Sequence, residues 1–292
     1  MHQYLTAIGF GGIKGKKALD DILRQVEIDF TQHDIISDDE NTDYCEFRKD
    51  FAKNMGISVV GNMDVDEYFQ REFYAPYFFG DHITTYADVL VERRIDREAY
   101  VGVCEDAKVG ISIIFHLVNS AEYEKKSRGR DLSERFTSVT LSGLCNQGTI
   151  LLPLLKDEEQ QRRQERETEN RRMLVTAAKS GDPVAIESLT LNDIDTYSKV
   201  SRRLVTEDVF SIVDTYMMPF GVECDQYAIM GTIKEVGRVT NELTKEEIYT
   251  LELEVNNMTL AVCVPVQNLI GEPAEGRRFK GNIWLQGKIN LD

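Results

Sequence analysis

"IYTLELEVNNMTLAVCV", residues 248–264, decides how the C-terminal part of the chain is read. Tyr249, Leu251, Leu253 and Val255 alternate with polar residues, and Met258, Leu260, Val262 and Val264 resume the same phase. A period of two places one side of each strand on a core. Asn256-Asn257 between them is a two-residue turn, since Asn tolerates the left-handed backbone that tight hairpins need. Ile248 alone breaks phase, at the strand edge. Working outward, "YAIMGTIKEV" reads as a first strand, "PVQNLIGEPAEG" as a helical turn and loop, and "RFKGNIWLQGKI" as a closing strand. This set predicts a small β-barrel over residues 221–292, OB-like or SH3-like.

Upstream, about 57 to 153 also reads as strands. "ISVVGN" and "YFQREFYAPYF" flank the polar turn "MDVDE", and "AYVGVC" and "VGISIIFHLV" are joined by "EDAK". Both faces of the latter strand are largely apolar, so it is expected to be central and covered on both sides. "SVTLSGLC" and "TILLPLL" close the run around "NQG". "KKALDDILRQVEI" carries Leu19, Ile22, Leu23 and Val26 at helical spacing, and "QHDIISDDENTDY" reads as an acidic loop. Residues 1–155 are therefore expected to form an antiparallel α+β domain.

Between them, "KDEEQQRRQERETENRRMLVTAAK" has no apolar residue before Met173. Glu158–Arg162, Glu159–Arg163 and Glu167–Arg171 stand four apart with the acid first, which supports a helix of about 24 residues. Gly181 and Pro183 stop it. "DPVAIESLTLNDIDTYSKV" then fits one or two short helices, the second capped by Thr190 or Asn192. Residues 156–220 form a helical connector in this reading, its first half a solvated spacer.

The 292 residues carry a net charge of −16 and a pI near 4.8. Such a surface repels phosphate backbones and anionic lipid, so nucleic acid and membranes are disfavoured partners. Cys45, Cys104, Cys145, Cys224 and Cys263 are odd in number and widely spaced, which argues against a disulfide framework and a zinc ribbon. No secretory h-region and no 18-residue apolar run is visible, so a reduced, cytoplasmic protein is expected.

The motifs that invite chemistry mostly fail on spacing. In "GFGGIKGKK", Phe10 stands where a phosphate loop needs its first glycine and Lys17 where it needs a hydroxyl. Asp39, Asn41, Asp43 and Asp50 approach a calcium loop, but Tyr44 replaces its glycine and Asp50 its glutamate. His2, His33, His82 and His116 lie apart, and His116 reads as a core histidine. No metal or cofactor is expected.

Two stretches remain. "DTYMMPFGVECDQY", residues 214–227, holds Asp214, Tyr216, Cys224 and Asp225. As an enzyme site it would use Cys224 as nucleophile or Asp214 and Asp225 as a carboxylate pair. Glu223 and Asp225 add negative charge beside the thiol, however, so a joint leading into the barrel fits better. In the closing strand, Lys280, Asn282, Trp284, Gln286 and Lys288 share one side, with Arg277 and Arg278 at its start. A tryptophan between cations can hold single-stranded nucleic acid or sugar. Otherwise Trp284 packs under the N-terminal domain or a subunit.

The runs "YLTAIGF", "NMGISVVGNMD", "YAPYFFGD", "YVGVCEDAKVGISIIFHLVN", "AIESLTLNDIDTY" and "SIVDTYMMPFGVECDQY" resemble domain of unknown function 3881 of Gram-positive anaerobes. The resemblance spans the chain up to the barrel. It implies a bacterial cytoplasmic protein without assigned activity, and it transfers no catalytic residue. The reading overall is a non-enzymatic binding or interaction protein, its partner a protein, a small molecule or a second copy in a homodimer. The alternatives are a hydrolase-type enzyme at Asp214, Cys224 and Asp225, and single-stranded nucleic-acid binding by the barrel.

Overall fold

The computed structural model describes residues 2–37, 42–86, 89–93, 99–105, 112–127, 138–154, 158–203 and 209–290. A 3-10 helix, Gln3–Ile8, leads into α1 (Lys16–Ile28). A four-stranded antiparallel sheet follows: β1 (Gln32–Ser37), β2 (Thr42–Ala52), β3 (Met55–Asp64) and β4 (Phe69–Phe78), paired in that order. Next come β5 (Val89–Arg93), β6 (Tyr100–Glu105), β7 (Ser112–Leu117), α2 (Ser120–Ser127) and β8 (Ser138–Leu151). A helical hairpin, α3 (Glu158–Lys179) and α4 (Pro183–Arg203), precedes the short α5 (Val209–Ile212). The last strands are β9 (Tyr216–Pro219), β10 (Gln226–Thr240), β11 (Glu247–Val255), β12 (Met258–Pro265), β13 (Leu269–Ile270) and β14 (Arg278–Asn290).

The hairpin that opened the reading forms as its periodicity requires. Val255 faces Met258, Leu253 faces Leu260 and Leu251 faces Val262. Asn256 and Asn257 both have positive φ, 49° and 61°, the backbone of a tight hairpin turn. Around it the strand pairings run in a circuit. β10 pairs β11, β11 pairs β12, β12 pairs β8 in parallel, β8 pairs β14, and β14 pairs β10. β7, β6 and β5 extend the second sheet from β14. Strands from the N-terminal half thus hydrogen-bond directly to those of the C-terminal hairpin.

Two apolar clusters hold the layers. The first fills the space enclosed by the circuit and includes Phe115, Leu141, Tyr227, Leu253, Val262, Phe279 and Ile283. The second lies between the 3-10 helix, α1, the first sheet and the outer side of the circuit. It includes Leu5, Phe10, Leu23, Phe51, Ile57, Leu144 and Ile248. Ile248 is out of phase with its strand because it belongs to this second cluster, not the first. Each fully buried aliphatic or aromatic side chain contributes about 1.5–3 kcal/mol.

Several local readings change. "SVTLSGLC" and the start of "TILLPLL" are not two strands either side of "NQG": β8 runs through it, and Cys145 pairs Ile283 while Gly148 pairs Gly281. Asn146 and Gln147 therefore oppose Asn282 alone, a β-bulge, which uses the same residue types as a turn. The acidic stretch after His33 is partly strand, since Ile36 is buried and β1 pairs in register with β2. Asp39 and Asn41 lie outside the described residues. Thr190 caps nothing; its hydroxyl donates to the Ile186 carbonyl at 2.9 Å, so α4 is one helix of 21 residues. α3 has 22 residues and ends at Lys179, with Gly181 following at φ +86°. Arg171 and Asp193 join the two helices.

Polar contacts fix the stacking of the sheets. The Gln286 side chain accepts from Phe78 N at 3.1 Å and donates to the Pro76 carbonyl at 2.8 Å. Ser142 Oγ donates to the Phe78 carbonyl at 2.5 Å. The end of β4 is thereby tied to β14 and β8. Among the described residues no helix is long and apolar enough to cross a membrane.

Candidate functional site

The N-terminal segment is pinned by the β10–β11 turn. Buried Asn241 donates to the Ile8 carbonyl at 2.8 Å, and Thr244 Oγ1 donates to the Gly9 carbonyl at 2.6 Å. Gly9 ends the 3-10 helix at φ +84°, and a Cβ there would meet Asn241 Cβ at 3.0 Å. The glycine-rich stretch holds an anion of its own chain: Gly12 N donates to Glu246 Oε1 at 3.1 Å.

This pinning lays the start of the helix over Trp284. The Tyr4 ring stacks on the indole with centroids 5.7 Å apart and planes at 23°. His2 approaches the indole at 4.6 Å and His116 at 4.8 Å. Each such ring pair adds about 0.5–1.5 kcal/mol beyond its buried area. Trp284 Nε1 donates to Asp225 Oδ2 at 2.9 Å, and Leu285 N donates to the Asp225 carbonyl at 2.8 Å. Trp284 and Asp225 are each only 4% exposed.

A cleft of about 350 Å³ opens at this point. His2, Tyr4, Glu223, Asp225, Gln226 and Trp284 line it, with Gln3. Its walls are therefore aromatic faces and two carboxylates, with no Lys or Arg among the lining residues. The Tyr4 hydroxyl is pushed up to about 12, mainly by burial and then by the negative charge of Cys145 and Asp225 in their ionised forms. It is a neutral hydrogen-bonding group at physiological pH.

The two stretches singled out in the sequence thus meet where Asp225, Gln226 and Tyr227 run beside Ile283, Trp284 and Leu285. Gln226 pairs Trp284 in the β10–β14 register, which sets Asp225 beside the indole. Cys224 is exposed, next to the cleft residues Glu223 and Asp225. Tyr216 pairs Met230, at the far end of the β9–β10 pairing from Asp225, and Asp214 precedes it. The structure does not gather Asp214, Tyr216, Cys224 and Asp225 into one constellation.

The cations of the closing strand turn to their own chain. Arg278 is buried and donates to the carbonyls of Leu152, Phe210 and Val213. Arg277 donates to the Glu272 carbonyl. Lys280 Nζ sits 4.1 Å over the Phe210 ring and Lys288 Nζ 5.6 Å over Phe79. Asn282 is exposed at the bulge, and Gln286 is buried between the sheets. Trp284 takes the packed arrangement under the N-terminal segment.

His2, Gln3, Tyr4 and Gln226 are cleft residues that sequence reasoning missed. The available signal was the phase of Trp284, which points away from the Phe279 side and needs a second covering layer. His116 also lines a small pocket of about 20 Å³ with Glu46, Ser58 and Tyr77. Glu46 is held by Ser58 Oγ at 2.7 Å and Arg48 Nε at 3.3 Å, yet burial raises its carboxyl above the ordinary range. Among the described residues no group of three His, Cys, Asp or Glu is placed to hold a metal ion.

A family model described as "Domain of unknown function, E. rectale Gene description (DUF3881)" matches residues 5–287. No curated protein and no solved structure matches the chain.

Proposed function

We propose, for a chain that belongs to the DUF3881 family, a non-enzymatic binding role in the cytoplasm, with a small ligand seated in the cleft beside Trp284. The observation that carries this reading is the cleft itself. Its volume lies within the range of small-molecule sites, and a few polar groups converge on aromatic walls there. The circuit of five strands, closed by one parallel pair, favours an OB-like barrel as the scaffold.

An enzymatic role is less well supported. Cys224 is exposed between two acids, and Asp214 and Tyr216 of its stretch lie toward the other end of the β9–β10 pairing. Nucleic acid fits the charge of −16 poorly, and the lysines of β14 already cover aromatic rings of their own chain. Native mass spectrometry of untagged protein, purified gently from its own host, is the test. A retained small-molecule mass that disappears in Glu223→Lys supports the role. Bare protein under the same gentle conditions counts against it. Alkylation of Cys224 at an ordinary thiol rate agrees with a non-catalytic site, and rapid reaction at neutral pH would sink that part.

A further inference from the structure

Successive residues of β2 turn to opposite sides of the first sheet. Cys45 and Phe47 join the second apolar cluster, whereas Glu46, out of phase with them, faces the corner where β7 meets α2. Glu46 is only 2% exposed, and its two oxygens are treated unequally. Oε1 accepts from Ser58 Oγ at 2.7 Å and stands 3.3 Å from Arg48 Nε. Oε2 is buried and has no hydrogen-bond partner among the described residues. The Ala121 amide lies near enough to favour the charged carboxylate, yet it completes no hydrogen bond to Oε2. We infer that the pocket at this corner is a binding site for one water molecule, held on Glu46 Oε2. The site does not rest on the binding role proposed above.

The pocket has about 20 Å³ open to the centre of a water molecule. An internal water needs about 10–15 Å³ on that measure, and it needs two to four polar partners. Ser58, His116 and Ser120 share the lining with Glu46, so further partners are at hand. A buried carboxylate oxygen without a partner carries its full desolvation cost, which a bound water removes. The size of the pocket excludes an organic ligand. Arg48 already sets a positive charge beside Glu46, so a second cation is repelled. Among the described residues no three His, Cys, Asp or Glu gather to hold a metal ion. An anion is repelled by the carboxylate itself. Water also suits both states of this group, whose carboxyl is raised by burial. It donates to Oε2 when the carboxylate is charged and accepts from it when the group is protonated. Through that molecule the first sheet is tied to the β7–α2 corner.

Ala75 lines the pocket from β4 and is buried. Val and Thr have nearly the same shape and differ by a hydroxyl in place of a methyl, so the strain each adds at this position is alike. The experiment compares urea unfolding of the full chain carrying Ala75→Val with that carrying Ala75→Thr. Both side chains fill the space of the water. The Thr hydroxyl can take its place on Oε2, whereas Val leaves that oxygen stranded. Expected is an unfolding constant about tenfold larger for Ala75→Val than for Ala75→Thr, as one unmade buried hydrogen bond implies. Ala75→Val as stable as Ala75→Thr, or more stable, overturns the inference, because a dry pocket prefers the methyl. If either variant fails to fold, Ala99→Val and Ala99→Thr make the same comparison from the segment that leads into β6. A high-resolution crystal structure of the unaltered chain locates the molecule directly. Expected is an ordered water within about 3.2 Å of Glu46 Oε2. No water at that oxygen, or Ala121 N bonded to it instead, overturns the site.

Discussion

β14 has two sides, and they are built on different principles. Phe279, Ile283, Leu285 and Ile289 belong to the first cluster and pack among its apolar side chains. Trp284 and Gln286 point the other way, toward the 3-10 helix and the first sheet, and each makes a directed hydrogen bond, Trp284 to Asp225 and Gln286 to the backbone of β4. The inner side excludes water and tolerates any shape that fills the space. The outer side specifies a partner atom by atom, and it is where the cleft opens. Burial alone does not mark the difference, since both sides are almost fully covered.

Truncation on the inner side should cost most. Phe279→Ala removes a ring packed against Gly148 and Gly281, and a loss of about 3–5 kcal/mol in urea unfolding is expected. A loss below 1 kcal/mol would mean the circuit collapses around the gap. Gln286→Leu keeps the volume but strands the Phe78 N–H and the Pro76 carbonyl, at about 1–3 kcal/mol for each buried group left unpaired. If this variant proves neutral, the outer side is no more specific than the inner one.

The third variant sharpens the contrast through pH. The folded-state carboxyl of Glu46 is raised from its ordinary 4.5, chiefly by burial. A raised group stabilises fully below its unfolded value, and that contribution is lost as pH rises through the folded value. Glu46→Gln cannot titrate. Wild-type stability should therefore fall relative to Glu46→Gln as pH goes from 4 toward 7, measured by urea midpoints at each pH. A gap that stays constant would show that Arg48 and Ser58 fully offset the burial.

The smallest effect is expected on α4. Leu191 is 59% exposed, so Leu191→Lys should change stability by less than about 0.5 kcal/mol. A larger loss that grows with protein concentration would place a second copy on this helix.

What could be read from the sequence follows the range of the interaction. The 248–264 hairpin, α1 and the β3–β4 and β6–β7 hairpins are set by neighbours in sequence, and their periodicity shows them. The parallel pairing of β8 with β12 is not of that kind. Ser142 meets Ala261 from far away in the sequence, and no local pattern encodes that meeting. The bulge at Asn146-Gln147 was hidden for another reason, because turn and bulge draw on the same residues. The cleft divides likewise. Asp225 and Trp284 stand out by residue type, whereas His2 and Tyr4 join them through long-range contacts such as Asn241 on Ile8 and Tyr74 on His2.

β14 is also a clock. It pairs with β7, β8 and β10, so three strands wait for a partner near residue 290. A ribosome delivers the chain from the other end. β7 and β8 therefore emerge, and the whole helical hairpin follows, before the strand that bridges them to β10 exists. The enclosed cluster cannot be sealed before β14 has been made, and its apolar edges wait uncovered until translation has passed that strand. For this architecture, ribosome pausing late in the message should harm yield far more than pausing early.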